Sequence, residues 1–112
     1  MEFFSKLFEM RDTSHLMHLA TKSYAEHKAL DDFYNGILDL TDSLIESYQG
    51  IYGLQEIVIP ESKAQEPVSY LQSCYKWIDD NRSSFKESFY QNQIDTIQEL
   101  IASTLYKLRF LE

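Results

Sequence analysis

A chain of 112 residues with a formal net charge of −8 and one cysteine has the size of a single compact domain and excludes an internal disulfide framework. Its ten basic residues are scattered from Lys6 to Arg109, with no basic run at either end. That argues against non-specific nucleic-acid binding, which draws on clustered Lys and Arg. With 44% hydrophobic and 25% charged residues but only 3 Gly and 2 Pro, the composition suits long helices with few turns better than an all-β fold.

The first segment, residues 2–19, places Phe4, Leu7, Phe8, Arg11, His15 and His18 at three- and four-residue spacings. This is a helical face, apolar at its start and imidazole-bearing at its end. Its polar face is not strongly basic, which favours a core-facing helix over a membrane-surface one. Thr21-Lys22-Ser23 is a short polar break, and Ser23 is a candidate cap for the next helix.

The second segment, residues 24–49, carries the clearest pattern in the chain. Leu30, Phe33, Ile37, Leu40, Leu44 and Tyr48 form one apolar stripe, and Gly50 is expected to stop the helix. Residues 50–66 hold Gly50, Gly53, Pro60 and the polar stretch from Glu61 to Glu66, and they read as a long loop crossing along the bundle. Ile57-Val58-Ile59 is expected to pack within it as a short extended piece. Pro67 suits the first position of a third helix, residues 67–82, with Val68, Leu71, Tyr75 and Ile78 inward. The fourth, residues 85–110, repeats Ile94, Ile97, Ile101, Leu105 and Leu108. Four amphipathic helices with one long loop between helices 2 and 3 predict an all-α four-helix bundle, a single domain over 1–112.

All three histidines, His15, His18 and His27, fall within thirteen residues, and Asp31, Asp42 and Glu46 follow on the second helix. At 100° per residue, His27, Asp31, Asp42 and Glu46 stand at about 0°, 40°, 60° and 100°, one polar stripe beside the apolar one. Asp31 and Asp42 are eleven residues apart, hence about 16 Å along the axis. They cannot share a metal within one chain, because metal–oxygen bonds are about 2 Å. A second copy of the helix, antiparallel about a two-fold axis, would set His27 and Asp31 of one subunit against Asp42 and Glu46 of the other. Each dimer would then hold two sites.

The steps from His15 to His27, Asp31, Asp42 and Glu46 are twelve, four, eleven and four residues. In these steps, and in the text His15-Leu16-Met17 followed by Ala25-Glu26-His27-Lys28-Ala29-Leu30-Asp31-Asp32-Phe33, the sequence resembles the Dps miniferritins. It is also similar to small ferritin-like proteins of phages and bacteria that carry Thr21-Lys22-Ser23-Tyr24 before a histidine. The resemblance implies a ferritin-like bundle with a di-iron ferroxidase site between two subunits. By position, Glu46 would bridge two irons, Asp42 and His15 would complete one site, and His27 and Asp31 would hold the other. The implied reaction is oxidation of Fe(II) by hydrogen peroxide or oxygen, followed by mineral storage where a cage exists. Leu16 stands where the family usually has an aromatic residue. His18 lies one turn beyond His15, so either is a candidate ligand. The basic N-terminal tail of DNA-binding members is absent.

Each residue has a plainer reading. His15 or His18 reads alternatively as an interface histidine, the three acids as solvated helix residues, the tyrosines as seam packing and Cys74 as a small core or interface residue. The acidic balance suits metal cations or a basic partner, and solubility explains it about as well. An alternative function is a non-catalytic interaction protein on a Dps-like scaffold, for example a phage factor that binds a host protein. The acidic start Met1-Glu2-Phe3-Phe4-Ser5-Lys6, the lone cysteine and the lack of an apolar run of about 20 residues lead us to expect a cytoplasmic protein, and the axial gap between Asp31 and Asp42 a homodimer or a higher oligomer built on dimers. We expect no nucleic-acid or membrane partner.

Overall fold

The computed structural model describes residues 1–111. Four helices, α1 (Glu2–Ala20), α2 (Tyr24–Tyr52), α3 (Pro67–Asn81) and α4 (Ser88–Phe110), are joined by a short break, a long crossover and a 3₁₀ turn at Arg82–Ser84. α1 packs mainly on α2, α2 on α4 and α4 on α3, while α3 closes more lightly onto α1.

Aromatic contacts fix the helix directions. Phe3 meets Trp77 at 5.5 Å and Phe85 at 4.9 Å, and Phe4 meets Tyr48 at 5.4 Å between ring centroids. One end of the bundle therefore gathers the start of α1, the ends of α2 and α3 and the approach to α4. At the other end Met17 and Ala20 share a cleft with Pro67, and Lys107 lies 3.8 Å from Asp32. α1 and α4 thus run one way and α2 and α3 the other. The crossover after α2 must travel back along the bundle, which is 43 Å in its longest dimension.

The apolar stripes meet in one core. Phe4, Leu7, Met10, Leu30, Phe33, Ile37, Leu44, Leu71, Ile78, Ile94, Ile97 and Ile101 are all fully buried, and Leu40, Tyr48, Leu105 and Leu108 pack against them. At about 1.5–3 kcal/mol for each large apolar side chain, this burial is the main force holding the bundle.

Helix ends follow local chemistry. Ser23 caps α2 by accepting from the Glu26 N–H at 3.3 Å. Glu66 caps α3, accepting from Val68 and Ser69, and Pro67 occupies the first turn. Arg82 locks the α3–α4 turn: its Nε donates to Gln91 Oε1 at 2.8 Å, and its guanidinium pairs with Asp95 at 2.6 Å.

Three expectations are corrected. α2 does not stop at Gly50. It runs on to Tyr52, and Gly53 ends it with φ 87°, the left-handed side of backbone space that glycine enters without penalty. In α3, Tyr75 faces outward and the neighbouring Cys74 takes the fully buried place. The fourth helix begins at Ser88 rather than residue 85, because Phe85 turns back to plug the aromatic cluster over Phe3 and Tyr90. Ile57 packs on the core from the crossover, and none of residues 57–59 pairs as a strand.

Candidate functional site

The short α1–α2 break folds the two helices back on each other and brings all three histidines to one end of their seam. His18 is almost wholly buried, and His15 and His27 are half-buried. The His18 and His27 rings stack with centroids 3.7 Å apart and planes 20° from parallel. Each Nδ1 lies 2.8 Å from the other residue's backbone carbonyl oxygen. A carbonyl can only accept, so both Nδ1 atoms carry the proton, and in the neutral rings both Nε2 atoms keep a lone pair. This is the orientation in which imidazole ligates a metal, with the far nitrogen held by a backbone acceptor.

His15 does not join that pair. It stacks on Tyr34 at 4.2 Å with planes 11° apart, and its centroid stands 6.1 Å from that of His18. Burial raises the pKa of Tyr34, and the neighbouring Asp31 carboxylate raises it further, so the phenol stays protonated. Asn35 Nδ2 donates to the Asp31 carbonyl at 3.0 Å. Tyr34 is the site member that reading by residue type misses. Its signal is its place one heptad after His27, on the same side of α2.

Asp42 and Glu46 stand apart from this cluster. Both are exposed, farther along the outer ridge of α2, at an axial offset from Asp31 of about 16 Å or more. Among the described residues, no three His, Cys, Asp or Glu side chains gather closely enough to hold a metal ion. What one chain brings together is an oriented imidazole at His27 with a carboxylate one turn away at Asp31. The remaining acids lie where only another molecule brings them near. Imidazole with carboxylate is a donor set suited to Fe(II).

The fold and this cluster define a small all-helical bundle with paired imidazoles at one end. Residues 18–108 match a family of unknown function (DUF5856), and the chain belongs to that family. It is similar to an uncharacterized 14.6 kDa protein in the mobD-ri intergenic region of Enterobacteria phage T4, with 28% identity over 109 residues, covering 96% of this chain and 85% of the phage protein. No solved structure matches. Among the described residues, no helix is long and apolar enough to cross a membrane.

Proposed function

We propose that the chain is a ferritin-like bundle that takes up Fe(II), to oxidise or sequester it, at a site completed by a second copy. The observation that carries this reading is His27, whose Nδ1–H is held by the His18 carbonyl while its Nε2 is left for a ligand, one helical turn from Asp31. The connectivity supports it as well, since a single long crossover joining two helix pairs is the ferritin-like arrangement. In this reading Asp42 and Glu46 of the second copy face His27 and Asp31, and His15 or His18 supplies the donor from α1.

The test is complementation. H27A/D31A and D42A/E46A should each lose Fe(II) binding and oxidation. In a mixed dimer one site collects all four substitutions and the other collects none, so half the sites recover. Absence of recovery despite proven subunit exchange would reject the shared site, and a wild-type protein that neither binds nor oxidises Fe(II) would reject the iron reading altogether.

A specific observation favours a second reading, the non-catalytic interaction protein. Leu54 is 91% exposed, and Ile51 and Val58 are 63% exposed, on the last turn of α2 and in the crossover. Grouped exposed apolar side chains mark contact surfaces. The likeness to a phage T4 protein makes a host protein a natural partner in that case.

A further inference from the structure

We propose that the outer face of α4 is a self-complementary surface on which a second copy of this chain packs antiparallel, about a two-fold axis at Ala102. The outward stripe of this helix reads Asp95, Glu99, Ala102, Tyr106 and Arg109, all exposed. Its first half is acidic, its middle is a methyl group, and its last half is aromatic and cationic. Asp95 and Arg109 are each seven residues from Ala102, hence about 10 Å from it in opposite directions. Turning the helix over about Ala102 sets Asp95 of each copy against Arg109 of the other. Glu99 then falls opposite the turn that carries Tyr106. Two ion pairs form at once, because a two-fold contact repeats every interaction. A parallel arrangement would instead set acid on acid.

The apolar surface supports the same occupant. Beside the second half of the stripe, α3 and α4 form an open cleft of about 440 Å³ lined by Tyr75, Leu105, Tyr106, Arg109 and Phe110. Tyr75, Tyr106 and Phe110 are 42%, 56% and 64% exposed. The Arg109 guanidinium lies 4.9 Å from the centre of the Phe110 ring, which holds the cation at the cleft's rim. Ala102 lets two helix backbones approach closely, and the second copy's α4 then covers the cleft. Asp95 already pairs with Arg82, so in the dimer its carboxylate would sit between two guanidinium groups. The ridge of α2 is a different surface: no large apolar side chain is exposed on it between Tyr24 and Ile51. The α4 contact is therefore independent of any metal and does not rest on the iron reading.

Sedimentation of the full chain in EDTA tests the proposal. Wild type should be a dimer at micromolar concentration, and high salt should weaken it. R109E and D95R each turn both pairs repulsive and should weaken self-association about tenfold or more. Circular dichroism would check that helix content is kept. Mixing the two variants is decisive. In the heterodimer one contact regains the native Asp95–Arg109 pair, and the other joins the two substituted side chains, an ion pair with its charges exchanged. Neither variant alone should dimerise, and the mixture should. Ala102→Cys should form an intermolecular disulfide under mild oxidation. A monomeric wild type in EDTA, or folded single variants whose mixture stays monomeric, would overturn the proposal.

Discussion

His18 and His27 hold each other's backbone: each imidazole Nδ1 donates to the other's carbonyl oxygen at 2.8 Å, across stacked rings. The His18 carbonyl lies in the last turn of α1, where carbonyls lack an intrahelical partner, so the His27 ring satisfies a group that the helix leaves open. The clasp therefore has a structural role whatever else the Nε2 atoms do. His18→Ala and His27→Ala should each cost about 1–3 kcal/mol in urea unfolding, from lost hydrogen bonds and an uncovered ring face. The double variant should cost less than the sum, since both substitutions break one unit. Additive losses would show that the rings do not act together.

The two glycines at the end of α2, one inside its last turn and one just past it, should respond in opposite ways. Gly50 is helical, and a Cβ there meets nothing within 4 Å, whereas Gly53 has φ 87°. Gly50→Ala should stabilise by about 0.5–1 kcal/mol by restricting the unfolded chain. Gly53→Ala should destabilise by about 1–2 kcal/mol through its left-handed backbone. Melting temperatures that shift in the same direction would contradict a helix that ends at Tyr52 with Gly53 as its cap.

The α2 stripe did not include the buried Ala29, Thr41 and Ile45, but its centre, Leu30, Phe33, Ile37 and Leu44, was legible because its buried positions keep one period. The end of that helix was not, because Gly50 and Gly53 look alike in sequence and only the backbone angle separates them. Tyr75, expected inward, is overturned for a different reason, while Cys74 is buried as its small-core reading expects. Tyr75 and Cys74 both fit the α3 period, and the fold turns Cys74 into the core while Tyr75 stays 42% exposed. At the site, the closeness of His15, His18 and His27 was visible from their crowding along the chain. The reciprocal carbonyl bonds come from the length of the α1–α2 break, and the His15–Tyr34 stack from side-chain rotamers, and neither leaves a mark in residue type. Asp42 and Glu46 were grouped with His27 by angle, and the fold keeps that angle while leaving the axial gap open.

Glu66 makes the start of α3 sensitive to acid. Its carboxylate accepts from the Ser69 and Val68 N–H groups, which lower its pKa from the usual 4.5. A carboxyl with a lowered folded pKa adds stability above its unfolded pKa and loses it as pH falls through the folded value. Wild type should therefore exceed E66Q by about 0.5–1 kcal/mol at neutral pH, a modest figure because the group is largely exposed. The gap should narrow as pH drops below the usual carboxylate range. A gap that stays constant from neutral pH down through that range would show that the cap's charge contributes nothing.

Cys74 should be silent in the folded protein. It sits fully buried on the inner face of α3, and burial pushes its thiol up to about 11. The Lys6 ammonium opposes that shift without cancelling it. At about pH 8 the thiolate fraction is then on the order of one in a thousand, and the reactive species is the thiolate. Burial also denies a disulfide reagent its line of approach. Labelling by a soluble aromatic disulfide should be at least about a hundredfold slower than for an exposed cysteine. It should accelerate with urea along the same curve as the loss of helix, since only opening of α3 exposes the sulfur. A Cys introduced at the exposed Ser73 position, in a Cys74→Ala background, supplies the internal reference on the same helix. Equal rates for the two thiols under native conditions would mean that α3 opens far more readily than its packing on α4 and α1 implies.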